Sequence, residues 1–195
     1  MTFRTLSKRF CIWATLATIV LAIGLTAPAM VQGQSNSPIR VGFLTALTGV
    51  LAQNGVDIAE GVKLYFSEIE YTVAGRKINL ITEDTASSVN TGLTKAKKLI
   101  TRNRVQVILG PVHSGIGMAV CNLVHSQKVP MVITQATANA LTQSKASPYI
   151  FRTAYSSGQL HLPIGRYLYK TLGWKRIAVL ALDYVAGHEH AGGII

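Results

Sequence analysis

The chain has 195 residues, 19 lysines and arginines against 8 acidic residues, and an apolar fraction of 49%. That length fits one domain, or one and part of another, and the apolar content excludes a disordered chain. Charged residues, at 14%, are too few for a long solvated helix or an acidic tail, and the two cysteines, at 11 and 121, cannot build a disulfide framework or a metal-ligand pair.

Residues 1–33 read as an address. Arg4, Lys8 and Arg9 precede an apolar run from Phe10 to Leu25, and Ala27-Pro28-Ala29 follows it. A basic start, an apolar stretch and an A-x-A site are the layout of a secretory signal peptide. Cleavage after Ala29 fits best, with Val31-Gln32-Gly33 as a second site. The competing reading is an uncleaved anchor, against which the run is shorter than the roughly 20 residues a spanning helix needs. Without those three leader cations the chain keeps 16 basic and 8 acidic residues. The densest basic group, Lys95, Lys97, Lys98, Arg102 and Arg104, falls mostly along one predicted helix and reads as its solvated face, not as a nucleic-acid surface. Cys121, among Val120, Leu123 and Val124, reads as a small buried residue.

A polar joint, Gln34–Pro38, leads to a buried strand at Ile39–Leu44 and a Gly-containing loop at Thr45–Gly55. Asp57 is the expected cap of a helix of about 14 residues whose Ile58, Val62, Tyr65, Phe66 and Ile69 share a face. Then follow a turn at Ala74-Gly75-Arg76, a strand at Lys77–Thr82, a helix through Leu93, Ala96, Leu99 and Ile100, and a β-branched strand at Val105–Leu109. A helix from Ile116 to about Ser126, strands at Val129–Ile133 and Tyr149–Arg152, a helix at Gln159–Leu172 and a strand at Arg176–Leu182 complete the pattern. Strand–helix alternation with apolar strands predicts an α/β fold, a parallel sheet wound on both faces by right-handed crossovers.

Ligands of such sheets sit beyond the carboxyl ends of the strands, where strand order reverses. Three loops qualify: Thr45–Gly55, Gly110–Gly115 and Thr134–Thr142, all rich in Gly, Ala, Ser and Thr. Ser114 stands where a helix N-cap belongs. The amides of Ser114, Gly115 and Ile116 would then offer an anion site, or Ser114 is an ordinary cap without a ligand. Enzyme patterns fail: a dinucleotide fingerprint needs glycine where Val120 stands, and a nucleophile elbow at Ser114 needs glycines where Val112 and Ile116 stand. His188-Glu189-His190 has the wrong spacing for one helical face and reads as a solvated turn at the chain end. Among the three loops only His113 titrates near neutrality, so no acid–base pair is present.

These residues carry a resemblance. Ile39-Arg40-Val41-Gly42 through Leu47-Thr48-Gly49 with Gly55 resembles the opening of solute-binding proteins of the branched-chain amino-acid (Leu/Ile/Val-binding) ABC importer family. So do Val107-Ile108-Leu109-Gly110-Pro111 with Ser114, Val129-Pro130 leading into Ala136–Thr142, Pro148–Thr153 at the crossing between lobes, and Asp183-Tyr184-Val185-Ala186-Gly187. The resemblance covers nearly all of residues 39–193. It implies a type I periplasmic-binding-protein lobe at 34–154 and the start of a second lobe at 155–195, closing on a small ligand by a hinge. It also implies that the chain, ending just past one strand of the second lobe, is a fragment of a longer member.

By the same resemblance, Ser114 and Gly115 would hold a carboxylate, and Gln135, Ala136 and Thr137 would complete the contacts. Asn54 stands where many members carry an aromatic, and with Gln135 it moves the expected ligand away from a plain Leu, Ile or Val side chain. Tyr184 would form a wall from the second lobe. The implied function is non-enzymatic. An amino acid or related small carboxylate or amide would be captured in the periplasm and passed to an ABC permease of the inner membrane, with no cofactor, metal or nucleic acid. The alternatives are a ligand-sensing module of a receptor or regulator on the same lobes, and an exported hydrolase using Ser114.

Overall fold

In the computed structural model, residues 37–194 are described, so the leader assigned to residues 1–33 lies outside them. The first strand, β1 (Ile39–Thr45), becomes fully buried from Val41 onward and forms the spine of the sheet. Helix α1 (Ala52–Glu68) returns the chain to a two-residue strand β2 (Thr72–Val73), which pairs antiparallel with β3 (Arg76–Asp84). Ala74 and Gly75, with φ of 49° and 74°, make the two-residue turn between them; both positive dihedrals suit the twist of a tight hairpin. Next come α2 (Val89–Thr101), β4 (Val107–Leu109), α3 (Ser114–Gln127), β5 (Met131–Ile133), a 3₁₀ turn (Asn139–Thr142) and β6 (Ile150–Arg152). Helices α4 (Ser157–Lys170) and α5 (Val185–Ile194) close the described chain.

Strand order is β2-β3-β1-β4-β5-β6, and every pair except β2–β3 is parallel. After β1 the chain first builds one side of the sheet, at β3, then crosses back to build the other from β4. Strand order therefore reverses between β1 and β4, and the crevice beyond their carboxyl ends is the geometric place for a ligand. Alternation along β4 divides the layers. Ile108 faces Leu99, Ile116, Val120 and Val124 of α2 and α3, while Leu109 faces Ile58 and Phe66 of α1. Cys121 is buried in the first layer, as its neighbours in sequence indicate.

Several boundaries differ from the sequence reading, each for a physical reason. Asp57 does not cap α1: it lies inside the helix and accepts a hydrogen bond from Gln53 Nε2 at 2.8 Å. The helix begins five residues earlier because Ser87, 36 residues away, accepts the Leu51 amide through its hydroxyl. Of the apolar face expected to lie on the sheet, Phe66 is buried but Tyr65 is 59% exposed, and an open apolar groove runs along Ile58, Val62 and Tyr65. Strand β5 starts at Met131, not Val129, because Lys128 adopts a left-handed conformation (φ 54°) and Val129 donates its amide back to Val124, ending α3.

The largest correction concerns residues 176–182. They form no strand among the described residues; Ile177 and Leu182 are about half exposed and Leu180 fully so. A strand needs a neighbour for its ladder, and among the described residues none pairs with this segment. The solvated turn expected at His188–His190 is instead part of the helical segment α5, which starts at Val185 and packs on α4 closely enough that Ile194 O approaches Gly165. Only His188 is exposed, paired with Asp183 at 2.7 Å; Glu189 and His190 turn inward.

The basic face of α2 is also more than solvated. Lys95 and Lys98 straddle Glu83 at 2.8 and 2.5 Å, and the Glu83 carboxylate is 8% exposed. Burial alone would raise this carboxyl; the hydrogen bonds and charges of the two lysines outweigh it and hold the group below its ordinary range. Its stabilising contribution is thus present above the unfolded carboxyl value and lost as pH falls through the lower folded one. Replacing Lys95 and Lys98 together by methionine leaves Glu83 buried alone and is expected to cost about 1–3 kcal/mol at neutral pH, discounted for the partial exposure of both lysines. Because protonation then relieves the lone carboxylate, the gap in urea midpoint between wild type and variant should shrink at pH 4; an equal gap at both pH values would rule this out.

Candidate functional site

The loops at the switch point are tied together by polar side chains. Asp84, at the end of β3, accepts the Leu47 amide at 2.8 Å, the Thr48 amide at 3.3 Å and the Thr48 hydroxyl at 2.7 Å. Burial pushes this carboxyl up, but these bonds and the one from the Ala86 amide prevail and hold it below its usual value. The anchored loop delivers Leu51 and Asn54 to the crevice. At the end of β4, Gly110 has φ 106°, and a Cβ there would lie 2.0 Å from Leu44 O, so the chain can turn this close to β1 only with glycine.

Helix α3 starts differently from expectation. Its N-cap is His113, whose Nδ1 accepts the Gly115 amide at 3.0 Å, while the Ile116 and Gly117 amides both reach His113 O at 3.1 Å. Of the three amides expected to face an anion, Gly115 and Ile116 are thus engaged, and that of Ser114 makes no hydrogen bond among the described residues. Burial holds the His113 imidazole below its ordinary value and so favours the neutral ring, in which the Gly115 N–H makes Nδ1 the acceptor.

Ser114 is the first residue of the helix, is 1% exposed, and has another task. Its Oγ accepts the amides of Thr137 at 3.0 Å and Ala138 at 3.2 Å, joining the β4 loop to the β5 loop. Thr137 in turn takes the Ser157 amide on its carbonyl at 2.9 Å, and its hydroxyl lies 3.1 Å from Ser157 Oγ and 3.4 Å from His190 Nε2.

Around this joint lies a pocket of about 110 Å³, lined by Asn54, Ser114, Gln135, Thr137 and Tyr184 together with Leu51, Val112, Tyr155 and His190. Five of the seven residues singled out from sequence therefore meet in one place. Gly115 and Ala136 do not line it: Gly115 is spent on the helix cap, and Ala136 is fully buried with its amide on Pro111 O. The Gln135 side-chain oxygen is buried and unpartnered, an acceptor waiting for a donor. Tyr184 sits against His113 with ring centroids 4.9 Å apart.

Sequence reasoning missed two polar members of the lining. Tyr155 follows β6, and the rule that ligands sit beyond strand ends could have found it. His190 gave no usable signal, because nothing local indicates that residue 190 returns to residue 137. Its neighbour Glu189 fixes that return: both carboxylate oxygens accept the Asn139 amide, at 3.1 and 2.9 Å. Arg152, which donates to Ala138 O and to the Thr142 hydroxyl, braces the same loop from β6. Among the described residues no cluster of three or more His, Cys, Asp or Glu could hold a metal, and no helix is long and apolar enough to cross a membrane. The arrangement offers hydroxyl, amide and imidazole groups for grasping a small polar molecule.

A profile of the family described as "periplasmic binding protein" matches residues 38–194. A Leu/Ile/Val-binding protein of Rhizobium johnstonii is 27% identical over 148 residues, 75% of this chain and 40% of that relative. Among solved structures, a solute-binding protein of an ABC transporter from Rhodopseudomonas palustris BisB5, in complex with 3,4-dihydroxybenzoic acid, aligns with a TM-score of 0.75 at 31% identity, covering 82% of this chain and 43% of that one. An ABC transporter substrate-binding protein from Sphaerobacter thermophilus gives 0.71 at 36% identity, covering 80% and 43%. The chain therefore spans well under half the length of these relatives.

Proposed function

The chain belongs to the periplasmic binding protein family, with Leu/Ile/Val-binding proteins among its relatives, and from that premise we propose that it is the solute-binding component of an ABC importer. In this reading residues 34–154 are the first lobe and residues 155–195 begin the second. A signal peptide at 1–33 directs export to the periplasm, and an inner-membrane permease receives the solute. No covalent chemistry is assigned to the site; it binds and releases.

The observation that carries the proposal is the pocket at the switch point, which Ser114, Gln135 and Thr137 line together, with the Ser114 amide making no hydrogen bond among the described residues and the Gln135 side-chain oxygen left unpartnered. Hydroxyl and amide donors suit a carboxylate, and an unpartnered amide oxygen suits an N–H or O–H of the same molecule. The named relatives are associated with Leu/Ile/Val and with 3,4-dihydroxybenzoic acid, which are both small carboxylates. The solute is accordingly an amino acid or a related small carboxylate.

A thermal-shift screen of the full-length protein against leucine, isoleucine, valine, benzoate and hydroxybenzoates tests this. A ligand present at a hundred times its dissociation constant stabilises the folded state by about 2.7 kcal/mol, a readily visible shift. The expected result is stabilisation by at least one carboxylate, weakened tenfold or more in a Gln135→Met variant. Stabilisation by none at millimolar concentration, or a response indifferent to Gln135, would remove the proposal.

A further inference from the structure

His190 lies at the edge of the pocket with its Nε2 pointing to Thr137 and one ring face covered by His161, whose centroid is 4.1 Å away at an interplanar angle of 21°. Such a stack fixes the imidazole plane and leaves its nitrogen edge towards the ligand space. The titratable groups around it come from three elements and the loops beside them. His161 belongs to α4, with its own Nδ1 3.3 Å from Ser157 O; Glu189 precedes it on α5; Tyr155 and Tyr184 line the same space; and Arg152 of β6 acts on Glu189 from behind. His113 packs against Tyr184. No Lys, Arg, Asp or Glu lines the pocket itself, so His190 is the lining side chain able to gain positive charge by protonation.

Burial, and then the neighbouring His161, hold His190 below the ordinary imidazole value, with Glu189 opposing them. An anion placed in the pocket adds attraction that the empty site lacks, and favours the protonated ring. We propose that His190 is a ligand-contacting residue whose protonation accompanies carboxylate capture, so that the site holds its anion more tightly as the medium acidifies; this rests on the reading of the pocket as a carboxylate site. The sign follows from linkage: a ligand that raises the value of a group is bound more tightly at pH below that raised value. An opposite charge in contact moves such a group by about one unit, so affinity at pH 5.5 should exceed that at pH 7.5 by up to about tenfold. The carboxylate stays ionised throughout this range, so the change belongs to the protein.

The test is calorimetric titration of the full-length protein with benzoate and with leucine at pH 5.5 and 7.5. Each is run in two buffers of different ionisation heat, so that proton uptake is read directly. Wild type should bind the effective probe up to about tenfold more tightly at the lower pH and take up part of a proton on binding, whereas His190→Gln should show one affinity at both pH values and no uptake. His161→Phe keeps a stacked ring, removes the competing charge and should move the transition to higher pH, which provides a second reading if His190→Gln folds poorly. Tight binding that is flat with pH in wild type overturns the histidine proposal while the binding reading stands. A pH dependence that survives in His190→Gln also overturns it, and points to His113. If neither these probes nor the wider carboxylate panel bind at either pH, the pocket reading falls and this inference falls with it.

Discussion

Ser114→Ala is expected to destabilise the protein by about 2–4 kcal/mol, the cost of leaving two buried backbone donors without an acceptor. The Thr137 and Ala138 amides both end on this one oxygen, and Thr137, Ala138 and Ser114 are 6%, 0% and 1% exposed. Alanine removes the acceptor and adds nothing that could replace it. Water can enter only from the pocket side, which softens the loss without cancelling it. A typical domain is stable by about 5–15 kcal/mol, so the loss is a large share of the whole. Urea unfolding should show a lower midpoint with an unchanged slope. Amide exchange should quicken at 137 and 138 while the α2–α3 core, around Leu99 and Val124, keeps its order of protection. A change below about 0.5 kcal/mol, the range of an ordinary surface substitution, would show that the two loops are held by something other than this hydroxyl.

The same residue shows what the sequence can and cannot reveal. That Ser114 lies at a helix start beyond a strand end is local information, carried by Val107–Gly110 and the helical pattern after it. That it caps nothing, and instead accepts from residues 23 and 24 positions away, is tertiary information, because His113 supplies a local acceptor of equal reach. The strand–helix alternation and the parallel sheet were legible because buried parallel strands are short apolar runs. Helix starts were not always so: the α1 start is fixed by Ser87, and the inward turn of Glu189 and His190 by an amide 50 residues earlier. Residues 176–182 have the composition of a strand, but composition cannot provide the neighbour that a ladder requires.

Gly55→Ala is the second substitution with a large expected effect, and its sign is opposite to helix propensity. Inside a helix alanine is normally better than glycine by about 1 kcal/mol. At position 55 a Cβ would fall 1.8 Å from Ala46 O, 2.6 Å from Ala46 C and 2.9 Å from Ala46 N, all backbone atoms that cannot rotate away. The helix would have to retreat from the end of β1, straining the bond from Thr45 Oγ1 to Gly55 O and carrying Leu51 and Asn54 off the pocket wall. Overpacking against backbone places the cost at about 2–4 kcal/mol after the propensity gain is set against it. Gly61 on the same helix is the internal control. Nothing lies within 4 Å of its Cβ position, so Gly61→Ala should stabilise the protein by about 0.5–1 kcal/mol. The pair separates contact from propensity: paired urea curves should move in opposite directions, and Gly55→Ala alone should also weaken solute binding. If both variants gained stability, α1 would not be seated on β1 at Gly55, and Asn54 would lose its place in the pocket wall.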